Sequence, residues 1–131
     1  MSTYINNETG HHFRIDKLPA PQFLKEYLNY ILAIENLTVR TVDNYYILLK
    51  GFLAWAHLRY EGLELSKKDV DECDITKMNF NEVSVLTTQD LHEYLSFAKD
   101  EQYEKIALFR QKVENDLFTA LGNCKVTIVI S

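Results

Sequence analysis

Glycine and proline are scarce in this sequence, with only four glycines and two prolines among 131 residues. Few tight turns can therefore be built, so long helices are favoured over a many-stranded β-sandwich. No apolar run approaches the roughly 18 residues of a membrane span, and the polar N-terminus lacks the features of a secretory signal. Cys73 and Cys124 are too few for a disulfide framework, so we expect a cytoplasmic protein.

The sequence also has no excess of basic residues, and its formal net charge is −5. This negative charge by itself disfavours a nucleic-acid binder. The charge is unevenly distributed, however. Residues 21–60 hold four basic and three acidic side chains, whereas residues 61–82 hold three basic and seven acidic ones. Hydrophobic residues make up 47% of the chain, which is enough for one folded domain with a real core.

Hydrophobic residues at helical spacing predict an all-α domain with four principal helices, over about 21–34, 39–60, 88–98 and 101–121. Pro19 and Pro21 mark the start of the first helix, Thr38 is a good N-cap for the second, and Gly122 is predicted to end the fourth. We predict a flexible lead-in over 1–18, a helical domain over 19–121 with an acidic connector at 61–86, and a divergent tail over 122–131 that includes a short β-branched stretch.

The predicted core consists of large apolar side chains that recur on one face of each helix. Its members are Phe23, Leu24, Tyr27, Leu28, Ile31, Val42, Tyr45, Leu49, Phe52, Leu53, Leu91, Leu95 and Phe109. On the second helix, the residues expected to face away from this core are Arg40, Asn44, Ile47, Gly51 and Ala54. Small residues there permit close approach of another backbone, protein or ligand.

Motifs for enzymatic chemistry are absent from the sequence. The acidic stretch 69–80 has aspartate where a calcium loop needs glycine and Phe80 where it needs a bidentate acid. The four histidines and Cys73 lack the spacing of a zinc site, so we predict neither a metal nor a cofactor. No phosphate-binding loop, nucleophile elbow or HExxH motif occurs. Nothing in the residues nominates an active site.

The order of residues in the first three helices is more specific. Residues 37–53 follow the pattern Leu-Thr-x-x-Thr-Val-x-x-Tyr-x-x-x-Leu-x-x-Phe-Leu, and residues 52–55 read Phe-Leu-Ala-Trp. Residues 23–28 read Phe-Leu-Lys-Glu-Tyr-Leu, and residues 86–95 read Leu-Thr-Thr-Gln-Asp-Leu-His-Glu-Tyr-Leu. Over about 21–98 the chain resembles the core-binding (SAM-like, N-terminal) domain of tyrosine site-specific recombinases and phage integrases.

This resemblance implies a four-helix orthogonal bundle that binds double-stranded DNA during integration and site-specific recombination, and that also contacts other recombinase protomers. The family usually has Arg or Lys in the middle of the second helix, where this chain has Tyr46 and Ile47. The catalytic domain of the family, with its Arg, Lys, His and nucleophilic Tyr, does not appear in these residues. We therefore expect that this chain by itself is not an enzyme.

Groups that could contact DNA lie mainly at the start of the second helix, away from its core stripe. Thr38 as N-cap leaves free N–H groups that suit a phosphate, and the fourth helix offers a second basic surface. The predicted DNA-binding residues are Thr38, Arg40, Thr41, Asn44, Lys50, Lys105 and Arg110. The alternative is a helical protein-interaction domain that does not bind DNA, since acidic helical surfaces often contact other proteins.

Overall fold

A computed structural model describes residues 3–62, 65–100 and 110–130 of the chain, with side chains omitted at 110 and 125–130. These residues are mostly helical, and a small antiparallel sheet precedes the helices. The strands are β1 (Tyr4–Asn6) and β2 (His11–Phe13), followed by a short 3-10 turn at Ile15–Lys17. The helices are α1 (Gln22–Ala33), α2 (Val39–Tyr60), α3 (Lys67–Glu72), α4 (Phe80–Ser84), α5 (Thr88–Asp100) and α6 (Arg110–Ile130).

The helix α2 lies at the centre of the fold. It contacts the β-hairpin, α1, α3, α4, α5 and α6, and residues 52–56 in its second half are all buried. Ala54, which we predicted to face away from the core, is therefore buried together with Trp55 and Leu58. Tyr45, which we predicted to lie in the core, is only partly buried, whereas its neighbour Tyr46 is buried. Strand β1 packs against α2 and adds a second contact surface to this helix.

The remaining core predictions hold wherever the structure describes the side chain. Eleven of the thirteen predicted core residues are buried, and Phe109 lies outside the described residues. The connector also packs through Ile75, Met78 and, in part, Phe80, as its apolar residues predicted. The predominantly helical class is thus confirmed, whereas the four-helix SAM-like arrangement stays a prediction.

Residues 3–18 form a hairpin and a 3-10 turn rather than a flexible lead-in. Tyr4 pairs with Phe13 and Asn6 pairs with His11, while Gly10 closes the turn at a positive φ of 74°. Burial of Phe13, Ile15 and Leu18 against the helices supplies the stabilisation that such short strands lack in isolation.

Two short helices in the connector were not predicted, and the predicted end of the last helix at Gly122 is wrong. The connector contains α3 and α4, whose N-termini are capped by Ser66 and Asn79. The last helix passes through Gly122 and continues to Ile130, so the tail is helical in its described part. One glycine inside a helix costs only about 1 kcal/mol, and burial of Leu121 and Cys124 beside it offsets this cost.

Candidate nucleic-acid interface

The first turn of α2 is exposed and capped as the sequence predicts. Thr38 is extended, and its Oγ1 accepts a hydrogen bond from the backbone N–H of Thr41 at 3.1 Å. The Thr38 hydroxyl also lies 2.9 Å from Oγ1 of Thr41. Helix geometry leaves the N–H groups of Val39 and Arg40 without an intrahelical partner. These donors, together with the positive end of the helix dipole, favour an anion at this position.

The polar side chains of the first two turns lie close together beside this cap. Arg40 is exposed, while Thr41 and Asn44 are half-buried at their bases. Arg40 and Asn44 are four residues apart, so they share one face of α2. The structure therefore brings four predicted contact residues, Thr38 included, onto one surface patch, which we call the α2 start.

Arg40 is not a free cation, because it forms an ion pair with Glu8 in the hairpin turn. The two side chains are 64% and 54% exposed, so water screens the pair and its net stabilisation is about 0–1 kcal/mol. Several phosphates along a duplex can compete with one such carboxylate. The sequence did not reveal this pair, because the hairpin that positions Glu8 was not predicted.

The other predicted contact residues lie away from the α2 start. Lys50 is half-buried, with its ammonium 6.0 Å from the ring centroid of Tyr46. Lys105 lies outside the described residues, and Arg110 begins α6 without a described side chain. Lys112, in the first turn of α6, pairs with Asp116 at 3.0 Å. The second contact surface on the fourth helix thus stays a prediction.

A buried polar network fixes the hairpin beside the α2 start. Asp43 is fully buried, and its Oδ2 accepts a hydrogen bond from Nδ2 of Asn6 at 2.8 Å. Its Oδ1 lies 2.8 Å from Nδ1 of His11. Because Asn6 and His11 are cross-strand partners, one carboxylate holds both strands on α2. The network thereby places Glu8 next to Arg40.

The hairpin and the 3-10 turn that follows it contain histidine and basic residues that were not among the predicted contact residues. An open pocket of about 320 Å³ next to it is lined by His11, His12, Arg14 and Lys17, among others. The sequence holds only part of the signal for this hairpin, because Thr9-Gly10 is a turn pair but the three-residue segments on either side do not alternate between apolar and polar residues. Arg14 and Lys17 belong to the segment just after β2, and Arg14 forms an ion pair with Asp16 at 3.2 Å.

A different cluster lies at the far end of α2. His57 and Glu61 project from its last turn and its C-cap, and Glu82 reaches them from α4. Ligand atoms of the three side chains all lie within 4.8 Å of one another. Sequence reasoning missed this group because it considered only the histidines and Cys73, and Glu82 is distant along the chain.

Comparison with protein-family models, with curated proteins and with solved structures finds no match to this chain. The resemblance to recombinases therefore depends on the motif residues of the first three helices alone. Among the helices that the structure describes, none is long and apolar enough to cross a membrane.

Proposed function

We propose that this chain is a DNA-binding module of the kind that serves tyrosine recombinases and integrases, acting without a catalytic role of its own. In this proposal the α2 start contacts the duplex. Arg40 and Thr38 bind phosphate, and Asn44 reaches toward a groove. A catalytic domain elsewhere would cut and join the strands.

The observation that carries the proposal is the α2 start itself. An exposed, Thr-capped helix N-terminus with Arg, Thr and Asn on its first turns offers both backbone and side-chain donors to phosphate. The buried side chains of α2 lie on its other faces, so the exposed side chains of the α2 start are free of a role in the hydrophobic core.

The charge of the whole chain works against DNA binding, and so does Glu8 at the α2 start. We therefore expect weak binding of the isolated chain, about micromolar or weaker at physiological salt. In a recombinase several domains hold the DNA together and share the binding affinity. Weak binding by this chain alone is therefore compatible with the proposed role.

Binding to a labelled duplex of random sequence, followed by fluorescence anisotropy across a salt series, tests the proposal. Arg40→Ala should weaken binding and reduce the slope of log K against log salt by about one, because one phosphate contact is lost. It should lower the free energy of unfolding by no more than about 1 kcal/mol, because the exposed side chain contributes only its ion pair with Glu8. Lys77→Ala, an exposed lysine between α3 and α4, is the matched charge control and should leave the slope unchanged.

Three results would contradict the proposal. The first is an absence of binding at every salt concentration. The second is an equal effect of Arg40→Ala and Lys77→Ala, which would mean that only the overall charge matters. Nuclear magnetic resonance shifts on adding duplex should fall on residues 38–50, and shifts confined to residues 65–82 would also exclude the α2 start.

A protein-interaction module is the second candidate, and an apolar groove favours it. A pocket of about 330 Å³ between the start of α5 and α6 is lined by Leu86, Leu91, Phe118 and Leu121, among others. Phe118 is 59% exposed, although it is a large aromatic residue. In this function the groove would contact another protein, such as a recombinase protomer. Phe118→Glu should abolish such an association in sedimentation experiments without affecting DNA binding.

A further inference from the structure

The cluster of His57, Glu61 and Glu82 is formed by two separate parts of the chain. His57 and Glu61 are four residues apart and therefore lie on the same face of α2. Glu82 belongs to α4, which packs against α2. Nδ1 of His57 lies 2.6 Å from Oε1 of Glu82, and a ligand atom of Glu61 is within 4.8 Å of both side chains.

Glu82 is held in place more firmly than a surface carboxylate. Its side chain is only 8% exposed, and its Oε2 accepts a hydrogen bond from the backbone N–H of Asn79 at 3.1 Å. The Asn79 side chain in turn accepts from the N–H of Glu82, which completes a capping box. A hydrogen bond that orients a carboxylate in this way is typical of metal-ligating carboxylates. One oxygen is thus fixed by the protein, and the other faces His57.

The charges of the cluster would attract a cation. Two carboxylates lie at the C-terminal end of α2, where the helix dipole is negative. Within the described residues, Glu61 has no ion-pair partner and Glu82 has only His57. The nearest arginine in sequence, Arg59, is held by Asp90 and Glu93 of α5. The imidazole alone cannot neutralise both carboxylates.

We propose that His57, Glu61 and Glu82 form a Zn²⁺ site, with water in the remaining position. A nitrogen and two carboxylate oxygens are ordinary zinc ligands, and three protein ligands are typical of sites that keep an open position. Ligands at tetrahedral zinc lie about 3.3 Å apart, so His57 and Glu82 separate by less than about 1 Å to admit the ion. Because Glu61 is exposed at the rim, the ion can enter from solvent.

The site does not depend on the proposed DNA-binding function, since it lies at the opposite end of α2 from Thr38. Zinc there would cross-link α2 to α4 and so stabilise the folded chain. Cys73 lies near enough to Glu82 that burial, together with Asp74 and Glu82, raises the pKa of its thiol. The Cys73→Ser variant therefore belongs in the test, so that a thiol ligand is distinguished from the proposed set.

Isothermal titration of the full chain, stripped with a chelator and then titrated with ZnCl₂, measures the binding directly. We expect one ion per chain and a rise in Tm with zinc. Glu61→Gln should weaken binding at least about tenfold, and because Glu61 is exposed the variant should fold normally without metal. Cys73→Ser should bind as the natural sequence does.

His92→Ala is the matched control, because His92 also pairs with one carboxylate, Glu114 at 2.9 Å, but among the residues that the structure describes no third ligand is grouped with them. This variant should retain full affinity. Absence of zinc binding by the natural chain, unchanged affinity in Glu61→Gln, or equal losses in Glu61→Gln and His92→Ala would each overturn the proposal. With Co²⁺ in place of zinc, visible absorption of a four-coordinate ion should appear in the natural sequence and be lost in Glu61→Gln.

Discussion

Glu8 in the hairpin turn forms an ion pair with Arg40 in the first turn of α2. The pair joins a segment predicted to be flexible to the side chain predicted to bind phosphate. In the proposed DNA-binding function, a phosphate would have to compete with the Glu8 carboxylate for Arg40.

Replacing Glu8 by Gln should strengthen DNA binding, because it removes the competing charge. An exposed pair contributes up to about 1 kcal/mol, so the gain should be up to about fivefold at low salt. Glu26→Gln makes the same change in net charge on an exposed face of α1 and is the control. Equal gains for the two variants in anisotropy titrations would show that Glu8 has no specific effect.

Thr38→Ala should destabilise the fold by about 1 kcal/mol, because the N–H of Thr41 loses its cap. Thr38→Ser keeps a hydroxyl at the same position and should remain within a few tenths of a kcal/mol of the natural chain. Urea unfolding followed by circular dichroism measures both variants. Similar stabilities for the Ala and Ser variants would contradict the capping role.

Gly51→Ala should be destabilising, although alanine favours a helix by about 1 kcal/mol over glycine. A Cβ on residue 51 would lie 2.8 Å from the hydroxyl oxygen of Tyr94, whose ring is buried against Phe52 and Trp55. Forcing extra volume into such a contact costs about 1–3 kcal/mol. Tyr94→Phe removes the clashing atom, so Gly51→Ala in that background should be neutral or stabilising. Thermal unfolding of the four combinations measures the coupling, and simple additivity would refute it.

The stability of the fold should decrease as the pH falls below about 4. Burial of Asp90 raises its pKa, but hydrogen bonds from Arg59 and Thr87 outweigh burial and hold the pKa below its usual value. A lowered pKa in the folded state means that the ionised carboxylate stabilises the fold above the pKa of the unfolded chain. That stabilisation is lost as Asp90 becomes protonated.

Asp90→Asn should therefore be less stable than the natural chain at pH 7, and the difference should shrink at pH values below about 4. Urea titrations at several pH values measure this dependence. A difference that stays constant with pH would mean that the carboxylate charge of Asp90 does not contribute through its contacts with Arg59 and Thr87.

The long helices could be predicted from the sequence because their own residues encode them. The structure places α1 and α2 within one residue of the predicted bounds, and α5 extends two residues beyond them. Helical spacing of apolar residues and the Thr38 cap act locally. The two three-residue strands and the short α3 and α4 carry too little periodicity, and they depend on packing against α2 instead.

The candidate sites likewise contain some features that local sequence predicts and others that depend on contacts between distant residues. The cap and the exposed first turn at the α2 start follow from residues 38–44 alone. The Glu8–Arg40 pair and the His57–Glu82 contact join residues 32 and 25 positions apart, respectively. Such contacts arise only when the hairpin and α4 fold against α2. Their partners could not be chosen from the many acidic residues in the sequence.

The contact between Gly51 and Tyr94 also has an evolutionary consequence. A chain that diverges from this one can enlarge residue 51 only together with, or after, a reduction at residue 94, because the intermediate with both large groups is strained. The two positions should therefore change together among related sequences, and glycine should accompany tyrosine in most of them. Such paired variation would provide a test of how α2 packs on α5 that needs no purified protein.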